Sequence, residues 1–461
     1  MQFARFGSIL NRVIGGQKKI PLIIFLLSVI SITFLMLLAG DNKQKSPPTI
    51  EWQISLGGSA DDKARSIQQT KDGGYIIAGY SRSTDGNVTQ NQDSADYWIV
   101  KLNANGAIEW QKSLGGSSYD EARSIQQTKD GGYIITGESW SIDGDVTGRH
   151  GAAGKAYYWI VKLNANGAIE WDKTLGGSGN DYANSVQQTK DGGYIVAGSS
   201  RSTDGDVTKR YKKADYWIVK LDANGAIEWD KTLGGSDDDE ARSIQQTNDG
   251  GYIVAGYSRS TDGDVTENKS WSDYWIVKLN ANGAIEWQKS LGGSAGNYAN
   301  SIQQTNDGGY IVAGYSRSTD GNVTGRHDAA SDNLDYWIVK LDANGAIEWD
   351  KTLGGSADDC ATSIKQTNDG GYIIAGSSES NDGDVTENKG WSDYWIVKLD
   401  ANGAIEWDKT LGGSDIDWIY SIQQTRDGGY IIAGYSHSID GDVIGHHGST
   451  KNSDYWIIKL K

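Results

Sequence analysis

Residues 56–86 read LGGSADDKARSIQQTKDGGYIIAGYSRSTDG, and close variants of this wording return six more times before the chain ends. Two tryptophan motifs count the copies. IEW falls at Trp52, Trp110, Trp171, Trp229, Trp287, Trp349 and Trp407, in steps of 58 to 62 residues; YW falls at Trp98, Trp159, Trp217, Trp275, Trp337, Trp395 and Trp456. Seven complete copies of each place residues 50–461 in one repeat array. That overrides the several domains a chain of 461 residues would otherwise suggest.

Each copy reads as four strands. In the second copy Ala122–Thr128 is a small and polar strand, and KDGG makes a tight turn with Gly131 and Gly132 free for positive φ. Gly132–Glu138 follows, then a longer loop, then Tyr158–Leu163, an NANG turn, and Ala168–Leu175. The middle two strands are apolar on consecutive residues, so both of their faces are buried. The fourth interleaves Glu170, Asp172 and Lys173 with Ile169 and Trp171, as an outermost edge requires. The pattern predicts an all-β fold, a seven-bladed β-propeller of four-stranded antiparallel blades with the small, polar strand at the crowded centre.

The phase of the repeat adds a closure prediction. The array begins at Ile50 with an outermost strand and ends at Leu460 with a third strand. Residues 50–56 should therefore pair beside 454–460 and close the ring. An open solenoid would need atypical capping copies, and the first and last copies are as regular as the middle ones.

The quoted stretch resembles the bacterial β-propeller repeat known as SBBP. It shares that repeat's GGS–acid–alanine entry, DGGYI-x-G hairpin and S-x-S-x-D-G exit. The resemblance covers residues 50–461 and implies a secreted or surface-exposed scaffold with no particular ligand.

The first fifty residues differ in kind. They hold every Phe, Met and Pro of the chain and no Trp. Residues 1–19 form a basic segment with Arg5, Arg12, Lys18 and Lys19, expected in the cytoplasm. Residues 20–39, IPLIIFLLSVISITFLMLLA, carry no charge and are long enough to span a bilayer as a helix. The basic flank predicts a signal anchor with the propeller outside the cytoplasm, and residues 40–49 form a linker. A cleaved signal peptide is the competing reading, although its apolar run should be shorter. The exit LLAGD has Asp41 where a lipidated cysteine would stand, which excludes a lipoprotein.

The net charge is −17, and the four N-terminal cations leave −21 on residues 41–461. An acidic body argues against nucleic acid as a partner. No P-loop, dinucleotide fingerprint, HExxH or GxSxG occurs. The repeated Asp-Gly-Asp/Asn element, first at Asp85–Asn87, lacks the glycine placement of a calcium loop. It reads as a turn whose Asp caps backbone. The acid after GGS, first at Asp62, reads the same way, and the IEW and YW tryptophans read as blade packing. Cys360, the single cysteine, stands in a column with Lys63 and Glu121 and reads as ordinary drift. No catalytic residue, metal site or cofactor is expected.

Length varies between copies only in the loop before YW. That loop and the segment just before it hold all five His and three of the four tryptophans outside the two motifs. One rim is thus variable, basic and aromatic. Its candidate ligand contacts are Trp140, Arg149, His150, Trp271, Arg326, His327, Trp391 and His446, for a protein or glycan partner. The reading is a non-enzymatic, membrane-anchored binding or adhesion module. A passive envelope scaffold is the alternative. An enzyme centred on the channel is the third reading; it predicts one blade with a unique acid–base constellation, and no copy shows one in strand positions.

Overall fold

The inner strand of each copy can bury only one side on the ring axis, so the copies must stack blade against blade. The computed structural model of the chain describes residues 46–91, 94–148, 154–209, 213–327 and 332–461 and shows this stacking. The basic segment, the predicted anchor at 20–39 and residues 40–45 of the linker lie outside the described residues. Among the described residues no helix is long and apolar enough to cross a membrane.

Seven four-stranded antiparallel sheets form the blades. Blades 1 to 6 span 62–114, 120–175, 181–233, 239–291, 297–353 and 359–411. Blade 7 joins 417–460 to the strand Ile50–Leu56, which lies antiparallel to Asp454–Leu460 from Ile50↔Leu460 to Leu56↔Tyr455. Thr49 and Lys461 extend the clasp by exchanging backbone hydrogen bonds of 3.1 and 2.9 Å. The last blade therefore borrows its outer strand from the start of the array, as the phase predicted, and every sheet is complete.

The third strand of every blade, such as Asp96–Leu102, is buried at all seven positions, and the outer strand is half-exposed. Strand bounds agree with the sequence reading to within two residues. The inner strand of blade 2 starts at Asp120 and not Ala122, because pairing with Ser139 resumes across a bulge between Ala122 and Ser124. The KDGG turn also differs. Gly131 alone takes positive φ (90°), while Gly132 is glycine because a Cβ there would stand 2.2 Å from Leu163 O.

Blade-to-blade cohesion is aromatic. Tyr97 packs its ring 4.5 Å from that of Trp159 in the next blade and donates its hydroxyl to Trp159 O at 3.0 Å. The same step recurs around the ring and ends with Tyr455 donating to Trp98 O at 2.9 Å. Each step adds about 0.5–1.5 kcal/mol beyond its area burial. The IEW tryptophans pack edge-on against the next blade's DGGY tyrosine, as Trp52 does on Tyr75 at 5.6 Å.

Candidate functional site

Each blade runs its inner strand from one rim to the other, so the two rims carry different connections. The turn rim holds the DGG and NANG turns. The loop rim holds GGS, the Asp-Gly-Asp/Asn element and the loop of varying length.

The loop rim rests on buried carboxyls. Asp62 is fully buried and accepts from Gly58 N at 2.9 Å and Ser83 Oγ at 2.8 Å. A Cβ at Gly57 would lie 2.4 Å from Asp62 Oδ2 and 2.5 Å from Asp454 Oδ1, so the first glycine of GGS is wedged between two acids. Burial, resisted by the serine and amide donors, pushes Asp62 up to about 6. Burial likewise pushes Asp359 and Asp417 up to about 7. Blade 5 has Asn297 at this position, and its amide donates to Asp273 Oδ1 at 3.1 Å. The Asp of the Asp-Gly element fixes the turn: Asp85 Oδ1 accepts Ser59 N at 2.7 Å, and Asn87 Oδ1 accepts Gly57 N at 3.2 Å.

At the same rim the channel opens into a cavity of about 340 Å³. Its wall comes from the bulged residue of each inner strand, where the register shifts between Ala64 and Ser66 in blade 1 and at the matching place in the other six. A bulge re-aims its side chain, and here each one reaches the neighbouring blade. Arg65 donates to Glu121 at 2.5 Å, and Arg123 donates to Asn184 Oδ1 at 2.9 Å while gripping Glu138 with two bonds of 2.6 and 2.8 Å. Asn184 reaches Ala241 O at 2.8 Å, and Arg242 reaches Asn300 Oδ1 at 2.6 Å. Asn300 reaches Ala361 O at 2.7 Å, and Thr362 reaches Ile419 O at 3.0 Å. Tyr420 closes the circuit by lying 4.1 Å under the Arg65 guanidinium. Seven side chains of four types make one relay around the mouth.

This relay is a constellation that no single copy displays, and reading copy by copy missed it. Its signal was in the columns: the residues flanking Ala64 change chemical character from copy to copy, whereas the Ser and Ile that follow scarcely change. Two carboxyls bonded to the relay's arginines diverge. Burial opposes ionisation of Glu121, yet Arg65, Arg123 and Tyr119 hold it down to about 2. Burial and the charge of Glu121 push Glu138 up, against the pull of Arg123. Divergent acids are a feature of acid–base sites. Both of these are only 3 % exposed and already bonded to arginine, so the pair stiffens the wall of the mouth. Cys360, on the same wall, is buried, and burial pushes its thiol up, away from a nucleophile's range.

The residues singled out on the loop rim divide by role. Trp271 and Trp391 stand out at 64 % and 76 % exposure, and the Arg259 guanidinium lies 4.0 Å over the Trp271 ring. Arg326 instead bonds the carbonyls of Arg317 and Asn333 and ties its loop down. His327 Nε2 lies 3.3 Å from Asp384, and His446 Nε2 lies 3.2 Å from Asn452 O. Trp140 is half-buried, with its backbone N–H on Tyr119 O at 2.9 Å. Arg149 and His150 lie outside the described residues. Ile142, Ile439 and Ile444 join the two tryptophans, so every large apolar side chain more than 60 % exposed among the described residues is on this rim.

These features define a closed seven-bladed β-propeller with one differentiated face. No family model matches the chain. Among curated proteins it is similar to the regulatory protein FlaEY of Caulobacter vibrioides, at 22 % identity over 406 residues, taking in 78 % of this chain and 41 % of that protein. The chain thus matches less than half the length of that relative. Among solved structures it is similar to hydrazine synthase of Kuenenia stuttgartiensis (10 % identity, 84 % of this chain, 96 % of that chain, TM-score 0.49). It is also similar to the Pan2 WD40 domain of Neurospora crassa (11 %, 88 %, 95 %, TM-score 0.47) and to BamB of Moraxella catarrhalis (13 %, 89 %, 100 %, TM-score 0.37). At these scores none carries an activity over to this chain.

Proposed function

We propose that the protein is a non-catalytic binding module that engages a protein or glycan partner with its loop rim and the adjoining channel mouth. The observation that carries this reading is the gathering of Trp271, Trp391, Ile142, Ile439 and Ile444, all strongly exposed, on one face of an otherwise uniform ring. Exposed aromatic and aliphatic groups on a rigid frame supply contact area with little ordering cost. In the same reading the chain is an SBBP-type repeat protein. It is held outside the cytoplasmic membrane by residues 20–39, with its N-terminus inside, or released if that segment is cleaved. Replacing Trp271 and Trp391 together by Ala should abolish partner capture and leave the melting temperature unchanged. Undiminished capture by the double variant sinks the assignment of this face. Protease accessibility of residues 46–461 on intact cells tests the topology.

A further inference from the structure

Beneath the mouth lies a second cavity of about 310 Å³, lined by the Ser, Ile or Val, and Gln of the inner strands. The Gln column reads Gln68, Gln126, Gln187, Gln245, Gln303 and Gln423, with Lys365 in blade 6. Each of these glutamines turns its side-chain oxygen to the next blade and accepts a backbone N–H there. Gln68 takes Gln127 N at 2.6 Å and Gln423 takes Gln69 N at 2.8 Å, and the other four do likewise between these values. With the oxygen fixed outward, the amide NH₂ is left to the lumen. Two residues earlier on the same face, the serine hydroxyl oxygens accept the next blade's N–H, as Ser66 does from Ile125 at 3.3 Å, and keep their own protons for another acceptor. The lining contains no Asp or Glu.

Lys365 cannot continue this pattern, because an ammonium has no acceptor to offer Gln424. It has no carboxylate partner among the described residues, and burial alone acts on it, lowering its pKa. The turns that follow the inner strands carry Arg426, Lys71, Lys129 and Lys190 on four consecutive blades; each donates to carbonyls of the next blade and is followed by an Asp, so the exit itself is charge-balanced on these blades. A polar tube offering N–H, O–H and one unpaired ammonium, with no carboxylate in its lining, is complementary to negative charge.

We infer that the central channel binds a small anion, a halide or an oxyanion of phosphate size, at Lys365 within the ring of glutamine amides. The ligand enters from the turn rim, on the far side from the proposed partner face, so this site is independent of that one. The test uses the full-length chain, titrated with inorganic phosphate, acetate and bromide at matched ionic strength and followed by thermal unfolding and calorimetry. At least one of the three should bind saturably and raise the melting temperature. K365Q restores the repeat residue and completes the glutamine ring, so it folds; loss of one charge-assisted contact should weaken its binding by about tenfold or more. K365R should retain binding. A bromide-soaked crystal should show anomalous density within hydrogen-bond reach of Lys365 Nζ. Equal responses from the parent and K365Q, or no response to any of the three anions, overturn the inference.

Discussion

At the turn rim every blade repeats one arrangement. Lys101, only 2 % exposed, holds Asp72 at 3.0 Å and Glu109 at 2.8 Å and donates to Leu102 O. Lys162, Lys220, Lys278, Lys340, Lys398 and Lys459 stand in its place in the other blades. At the loop rim the frame is equally regular, but what it presents is not: the relay side chain, the loop and the exposed apolar groups differ from blade to blade. The same residue type even titrates in opposite directions on the two sides. Burial opposes ionisation of Asp72, but Thr70, Gly74 N–H and Lys101 hold it down at about 2, whereas burial lifts Asp62 to about 6. A closed ring lets the two faces diverge, because the blade interior stabilises both and neither rim is needed to hold a free sheet edge.

That dependence on closure gives the largest expected effect. Deleting residues 50–56 exposes the strand Asp454–Leu460 as an edge and removes the covalent tie between the first and last blades. Cooperative unfolding should disappear, with both rims losing hydrogen-exchange protection together. A truncated chain that melts as sharply and as high as the parent would show that the rims do not share one frame.

The opposed carboxyls make stability peak in mild acid. Carboxyls raised to about 6 or 7 in the fold bind protons that an unfolded chain gives up near pH 4, so their contribution is complete below about pH 4 and lost as pH rises through 6 to 7. Asp72, Asp130, Asp249, Asp307 and Asp427 are depressed to about 2, so theirs is present above about pH 4 and lost as pH falls toward 2. Melting temperature should therefore be highest near about pH 4, falling toward about pH 7 on one side and toward about pH 2 on the other. Asp62→Asn, Asp239→Asn, Asp359→Asn and Asp417→Asn combined copy the Asn297 solution and should flatten the alkaline limb, leaving the acid limb in place. An unchanged alkaline slope would remove the loop-rim acids as its cause.

Lys101→Met is a smaller perturbation of the turn rim. Asp72 and Glu109 are largely exposed and regain water, so the loss is mainly the donor to Leu102 O, about 1–2 kcal/mol in denaturant unfolding. Trp271→Ala is the smallest. With the ring in solvent and only Arg259 stacked on it, stability should move by less than about 0.5 kcal/mol. A loss comparable to Lys101→Met would make Trp271 part of the frame.

The sequence carried the blade count, the strand order and the closing strand, because these depend only on a pattern repeated along the chain. It did not carry the channel mouth. Arg65 meets Glu121 only because the bulge swings it across to the next blade, a contact between copies that reading within a copy cannot display. Nor did the variable loops announce their division of labour. Arg326 and Trp391 look equally available in the sequence, but a guanidinium can satisfy nearby carbonyls and tie down its own loop, while Trp391 stays in solvent.

The central claim is that the partner docks on the loop rim and not on the turn rim. A photo-crosslinking residue can be placed at Trp271 and Trp391 on the loop rim, and separately at the exposed Asn105 and Asn344 in the turn-rim loops. In living cells the loop-rim positions should yield a discrete crosslinked species and the turn-rim positions none. Crosslinks of equal yield from both rims, or from the turn rim alone, would contradict the account.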